Sequence, residues 1–285
     1  MQLPKLIPTG SKNLDKLFMY QPGVLHCFYG PTGSGKTTLS AYIPIVQVTK
    51  WLVQRNQLTD KVVFAVIDTD GGYDWERLEI ISEANGVKYE VLEKHIIYKN
   101  PQDFAEQHKM MTKQLDKDLE NKIPLVIALD PAVAIYQGII LRAPRKVKAV
   151  MIGEYIGKID EQLQVLRYYA VNKKSITTVS TWPVSEVGEA ISGVPPDQPF
   201  IGGSRMGFLP KMIIGIDYYW DASGAKAEKH PTIRLASLWK HRSKPAGLKT
   251  VFKLCDKGVC DVEEKELPPG GSKDKAIEIV KGRKK

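Results

Sequence analysis

Phe28-Tyr29-Gly30-Pro31-Thr32-Gly33-Ser34-Gly35-Lys36-Thr37-Thr38 joins a short β-rich run, Val24 to Tyr29, to a segment from Leu39 to Leu52 that reads as a helix. The order is strand, glycine loop, helix. Gly30, Gly35, Lys36 and Thr37 complete the pattern G-x-x-x-x-G-K-[ST], and the flanking elements are the context that this pattern requires. Gly33 and Gly35 permit backbone angles closed to residues with a Cβ, so that successive N–H groups can converge on an anion. The start of the following helix adds partial positive charge at the same place. A nucleotide phosphate fits this description. Gly30, Pro31, Thr32, Gly33, Ser34, Gly35, Lys36, Thr37 and Thr38 form its cradle, with Lys36 reaching the β- and γ-phosphates and the Thr37 hydroxyl ligating Mg2+. Pro44 has no N–H to donate, and a kink is expected in the helix there.

Outward from the loop, Leu14, Leu17 and Phe18 lie on one side of a short helix that follows a turn at Pro8 to Gly10. Downstream, Val62 to Asp68 is a continuous apolar run typical of a strand covered on both faces. It ends in the acidic turn Asp68-Thr69-Asp70-Gly71-Gly72-Tyr73. Open α/β sheets place ligands at the carboxyl ends of their strands, although these aspartates also suit the capping of a helix that starts near Tyr73. That helix passes Trp75, Leu78 and Ile81 to about Ala84 and stops at Asn85-Gly86. A strand at His95 to Tyr98 and a polar helix from Gln102 to about Asn121 come next. A second buried strand, Ile123 to Pro131, finishes in Asp130, whose carboxylate would complete the magnesium site directly or through water.

Residues 138–150 read as a basic connector, with Arg142, Arg145, Lys146 and Lys148 and no acid. A solvated loop accounts for it as well as nucleic-acid contact does. A helix from about Met151 to Val171 places Ile152, Tyr155, Ile156, Ile159, Leu163 and Leu166 at core spacing. After a strand at Ser175 to Thr181, a long loop from Trp182 to Ile201 carries Glu186, Glu189 and Asp197. Gly202-Gly203-Ser204-Arg205 closes that loop. Further strands are read at Lys211 to Asp217, Thr232 to Trp239 and Leu248 to Leu254. Residues 1–267 form one core, and 268–285 a flexible basic tail.

At 285 residues the chain can bury a substantial core, and its formal charge of +9 suggests a polyanionic partner. Four of those cations sit in Lys281 to Lys285, and without them about +5 remains. No run approaches the length of about eighteen apolar residues needed to span a bilayer, and Met1 to Lys5 shows no signal region, so a soluble cytoplasmic protein without membrane contact is expected. Three cysteines do not make a secreted disulfide framework. Cys27 reads as a buried thiol. Cys255 and Cys260 can face each other across a hairpin; free thiols are the favoured reading, with a cross-strand disulfide left open.

The order of motifs resembles the RecA superfamily, and within it the archaeal RadA and RadB group. The resemblance rests on Ile7-Pro8-Thr9-Gly10-Ser11 with Leu14-Asp15-Lys16-Leu17, then GPTGSGKTT, Ile67-Asp68-Thr69-Asp70-Gly71 with Glu76-Arg77-Leu78, Asp130, Gly202-Gly203 and Lys240-His241-Arg242-Ser243. It implies a RecA-like P-loop NTPase core: α/β, a mostly parallel central sheet flanked by helices, with antiparallel strands at the C-terminal edge. It also implies an ATPase using ATP and Mg2+ and assembled as a homo-oligomer or within a mixed assembly. Loops 138–150 and 182–201 match positions lining a DNA path, so that Arg142, Arg145, Lys146, Lys148 and Arg205 are candidate contacts to DNA, single-stranded DNA above all. Lys240 and Arg242 match the basic pair that reaches the γ-phosphate, often from a neighbouring subunit.

Three departures bear on activity. Where the family has a water-positioning glutamate, this chain has Asp70. The family's adenine-stacking arginine falls at Asp74, with Tyr73 or Trp75 as the substitute. Its nucleotide-sensing Asn-Gln becomes Thr181-Trp182. The resulting expectation is a slowly hydrolysing, nucleoid-associated accessory protein of homologous recombination or DNA repair that works beside a recombinase. The alternatives are a KaiC-like ring ATPase in signalling and an ATP-dependent interaction module with negligible hydrolysis.

Overall fold

The computed structural model describes residues 3–184, 198–221 and 228–267. Among these, nine strands form one sheet in the order β3-β2-β4-β5-β1-β6-β7-β8-β9. They are β1 Leu25–Tyr29, β2 Val62–Asp68, β3 Ile96–Lys99, β4 Ile123–Asp130, β5 Ile176–Thr181, β6 Met212–Asp221, β7 Glu228–Lys240, β8 Lys249–Cys255 and β9 Gly258–Cys260. β1 to β6 pair in parallel and β6 to β9 antiparallel, as expected for the fold class. The helices are α1 Lys12–Leu17, α2 Ile43–Val53, α3 Trp75–Ala84, α4 Tyr89–Leu92, α5 Phe104–Lys109, α6 Leu115–Asp118, α7 Ala134–Arg142, α8 Arg145–Lys173 and α9 Gly203–Phe208.

The two-residue period of β2 explains the layering, because alternate side chains of a strand point to opposite faces. Val62, Phe64 and Val66 join a core with α1, α2 and α3, whereas Val63, Ala65 and Ile67 join one with α5, α7 and α8. Helices therefore cover both faces, and the carboxyl ends of β1, β2, β4 and β5 share one edge.

The helix after the glycine loop starts with a wider π turn, Thr38–Tyr42, before α2. Pro44 cannot donate to the Ser40 carbonyl, and the Thr178 hydroxyl of β5 donates to it instead at 2.6 Å. The expected irregularity is thus present one turn before the proline. A similar π turn, Met110–Gln114, separates α5 from α6 within the polar helix.

Two expectations need correction. Residues 138–150 are not a loop: α7 runs to Arg142, and α8, 29 residues long, begins at Arg145. Only Ala143 and Pro144 intervene, because proline suits a helix start and breaks a helix interior. The early part of α8 is also less buried than its spacing suggests; Ile152, Tyr155 and Ile156 stay half-buried while Ile159, Leu163 and Leu166 are fully buried. Second, Cys255 and Cys260 are disulfide-bonded, their Cα atoms 6.1 Å apart across the β8–β9 turn. That spacing lies within the range a disulfide bridges. Replacing both cysteines by serine is expected to cost about 2 kcal/mol, since the closed loop is short. Thermal unfolding with and without reductant measures this, and an unchanged midpoint would refute it. Cys27 is a free, fully buried thiol, as expected. The loop acids Glu186, Glu189 and Asp197 and the tail 268–285 lie outside the described residues.

Candidate functional site

The glycine loop lies at the end of β1 with Gly33 at φ +74 and Gly35 at φ +100, conformations that side-chain-bearing residues rarely adopt. Space is equally decisive at Gly30, where the obstruction is backbone. A Cβ on Gly30 would stand 2.1 Å from the Ile216 carbonyl oxygen, and one on Gly35 would stand 2.9 Å from Leu254. The loop borders a cleft of about 400 Å³ lined by Thr32, Gly33, Gly35, Lys36, Thr37, Thr38, Asp70 and Asp130, with Tyr42, Asp74, Arg77, Trp182 and Leu254 around them. Lys36 is buried and donates to the carbonyls of Gly30 at 2.8 Å and Pro31 at 2.9 Å.

The acids divide by role. Asp68 organises the turn: its Oδ1 accepts from the N–H groups of Asp70, Gly71 and Gly72, and its Oδ2 from Tyr73 N–H and the Tyr98 hydroxyl. Capping of α3 falls to Asp74, which accepts from Arg77 N–H at 3.0 Å. Asp70 is thereby left lining the cleft. Burial first, then the neighbouring Asp130 and Asp68, push its pKa up to about 6. Asp130 is buried and accepts from the Ser180 hydroxyl and from Thr37. Burial raises its pKa, and Ser180, Thr37 and Lys36 pull in the opposite direction.

This donor set fits a magnesium nucleotide. Among the described residues no cluster of three or more His, Cys, Asp or Glu side chains could hold a metal by itself. Magnesium needs no such cage, because phosphate oxygens and waters supply most of its ligands. The glycine cradle, the Thr37–Asp130 pair and the excess negative charge at the strand ends are what such a complex requires.

Tyr73 does not line the cleft. It is 8% exposed and packs against the rings of Tyr42, Trp75 and Tyr98, at 5.0, 5.0 and 5.5 Å between centroids. Its expected stacking on a base is corrected accordingly, because hydrophobic burial takes the ring into the core. Leu254 and Arg77 do line the cleft, with Arg77 donating to the Cys255 carbonyl at 2.5 Å. The sequence assigned neither a place in the cleft, since Leu254 meets the loop, and Arg77 of α3 meets β8, only in the fold. Lys240 and Arg242 are also absent from the cleft lining; Lys240 donates to the carbonyls of Gly207 and Phe208, each at 2.8 Å.

Of the expected DNA contacts, Arg142, Arg145 and Lys146 are exposed at the α7–α8 corner beside Leu141, Val147 and Val150, which are exposed apolar residues. Lys148 is half-buried there and donates to the Leu141 carbonyl at 3.3 Å. Arg205 lies apart, on α9, paired with Asp160 of α8 at 3.2 Å.

The Rad51 family pattern matches residues 5–142. Over 260 residues the chain is 31% identical to the DNA repair and recombination protein RadB of Thermococcus kodakarensis, spanning 90% of this chain and 100% of that protein. The chain belongs to the RadB branch of the Rad51/RecA family. The RadB protein of Pyrococcus furiosus is 28% identical over 266 residues, with 92% of this chain and 98% of the relative covered. A crystal structure of the RadB recombinase is similar with a TM-score of 0.65 at 28% identity, covering 90% of this chain and 100% of that one. Asp70 and Trp182 stand at the cleft where the resemblance has Glu and Asn-Gln.

Proposed function

We propose that the chain binds ATP with Mg2+, hydrolyses it slowly, binds single-stranded DNA, and assists homologous recombination or DNA repair beside a recombinase. The observation that carries this reading is the glycine cradle facing Asp70 and Asp130 across one cleft, in a chain similar over 90% of its length to a RadB named for repair and recombination. Thr37 and Asp130 would hold the magnesium, which when bound offsets the phosphate charge. Lys36 has two loop carbonyls as partners and a flexible stem that can swing its ammonium group onto phosphate oxygens. Asp70, which lines the cleft, would orient the attacking water.

Lys240 and Arg242 do not reach the cleft of their own chain, so a γ-phosphate role for them is a role in a neighbouring copy. Such a charge acts on the phosphoryl group in the transition state. A homo-oligomer or mixed assembly with nucleotide between subunits follows.

On the DNA side, Arg142, Arg145 and Lys146 present exposed charge on one corner, and no described ion pair occupies them. Titration of fluorescent single- and double-stranded DNA over several salt concentrations, with and without ATP, tests the reading. Changing all three to alanine is expected to weaken binding and to flatten the log–log salt slope by about 2, at about 0.7 per lost phosphate contact on a single strand. Normal binding by this variant, with loss on deletion of residues 281–285 instead, would move the contact to the tail.

A further inference from the structure

β6 and β7 touch the glycine loop through two side chains, Tyr218 and Arg234, that are not part of the cleft lining. Tyr218 of β6 donates its hydroxyl to the Thr32 carbonyl at 2.7 Å, and Arg234 of β7 donates from Nη2 to the Gly33 carbonyl at 3.2 Å. The two side chains support each other, with the guanidinium 4.5 Å from the Tyr218 ring centroid. Arg234 is only 4% exposed, its Nε lacks a hydrogen-bond partner, and among the described residues no carboxylate pairs with it. Its other donors go to the carbonyls of His230 and Ile233.

A buried, unpaired guanidinium is costly, and structures retain one where its charge meets something negative. Here the nearest function is the phosphate cradle. Across a trans peptide C=O and N–H point in opposite directions. Tying back the Thr32 carbonyl therefore turns the Gly33 N–H away from Tyr218, toward the cleft that Gly33 lines. Tying back the Gly33 carbonyl fixes the next peptide, whose N–H at Ser34 closes the turn on the Pro31 carbonyl at 3.2 Å.

We propose that Arg234 and Tyr218 are positioning residues for the phosphates: they hold the Thr32 and Gly33 carbonyls turned from the cleft, and Arg234 adds its charge to the loop from behind. This rests on the nucleotide-binding reading and deepens it. Neither residue touches the nucleotide, and both act through the loop backbone.

The test measures the affinity of the full chain for ATP·Mg by calorimetry and for tripolyphosphate by displacement of a fluorescent ATP, with thermal unfolding as a check on folding. Arg234→Met is expected to lose about tenfold or more for both ligands, because both bind through phosphate oxygens alone at this loop. Arg234→Lys keeps the charge and is expected to recover most of the loss. Tyr218→Phe, which keeps the ring on Arg234 and removes only the hydrogen bond to Thr32, is expected to lose about threefold and serves where Arg234→Met does not fold. Wild-type affinity in a folded Arg234→Met or in Tyr218→Phe would overturn the proposal, as would a loss seen for ATP but not for tripolyphosphate. A wild-type chain that binds neither ligand would remove the nucleotide reading itself, and this proposal with it.

Discussion

Lys36→Ala is expected to lower the affinity for ATP·Mg by about a hundredfold and to take hydrolysis below detection, because it removes the one mobile cation of the cradle. The buried ammonium lies between the Gly30 and Pro31 carbonyls, at 2.8 and 2.9 Å. From there the side chain ties its own loop together through these two carbonyls and can transfer its hydrogen bonds to the β- and γ-phosphates. Alanine removes both contributions. The loop carbonyls then lose a donor, a stability cost of about 1 to 3 kcal/mol that thermal unfolding reads separately from binding. Calorimetric titration decides the outcome. If Lys36→Ala binds ATP·Mg within threefold of wild type, the cradle does not work through this residue. The same variant is expected to retain DNA binding without nucleotide, since the α7–α8 corner lies on other elements.

Much of this arrangement is legible along the chain where chemistry is local. The glycine loop declares its strand and helix by spacing alone, and the unbroken apolar runs ending in Asp68 and Asp130 mark two covered strands that end at one edge. Residues 138–150 misled because a run of cations without apolar periodicity looks like solvated loop, whereas the corner needs only Ala143 and Pro144 to turn. Tyr73 misled for a related reason. Position beside a cleft motif says nothing about which way a ring faces, and three aromatic neighbours drew it inward. The disulfide was a matter of register, which the β8–β9 turn sets. Other site features come from contacts between distant segments: Thr178 on the Ser40 carbonyl, Leu254 against Gly35, Arg234 behind Gly33. No pattern within a single stretch encodes those, because each depends on how β5, β7 and β8 are ordered around β1.

Asp70→Glu is the substitution expected to raise activity, by about ten- to a hundredfold in kcat, with ATP affinity nearly unchanged. Asp70 stands at the cleft with its Oδ1 accepting from Gly72 N–H at 3.1 Å, so its carboxylate is drawn back toward its own turn. A glutamate carries the carboxylate about 1.5 Å further, one bond length of chain. Misplacement on the scale of an ångström is enough to cost about a hundredfold where a water must be aligned for in-line attack. The phosphate loop is untouched by the change, so binding should move by less than about threefold, the pattern of a group that acts in the transition state. Asp70→Asn separates charge from length: it is expected to lower the already slow turnover further while binding stays constant. Chemically quenched single-turnover hydrolysis, with the chain in excess over ATP·Mg, counts bound and released phosphate together and so reads the chemical step without product release. A folded Asp70→Glu that is no faster than wild type in that measurement would mean that the slow step lies elsewhere. Trp182 at the cleft, where the resemblance has a nucleotide-sensing Asn-Gln pair, would then be the next position to exchange.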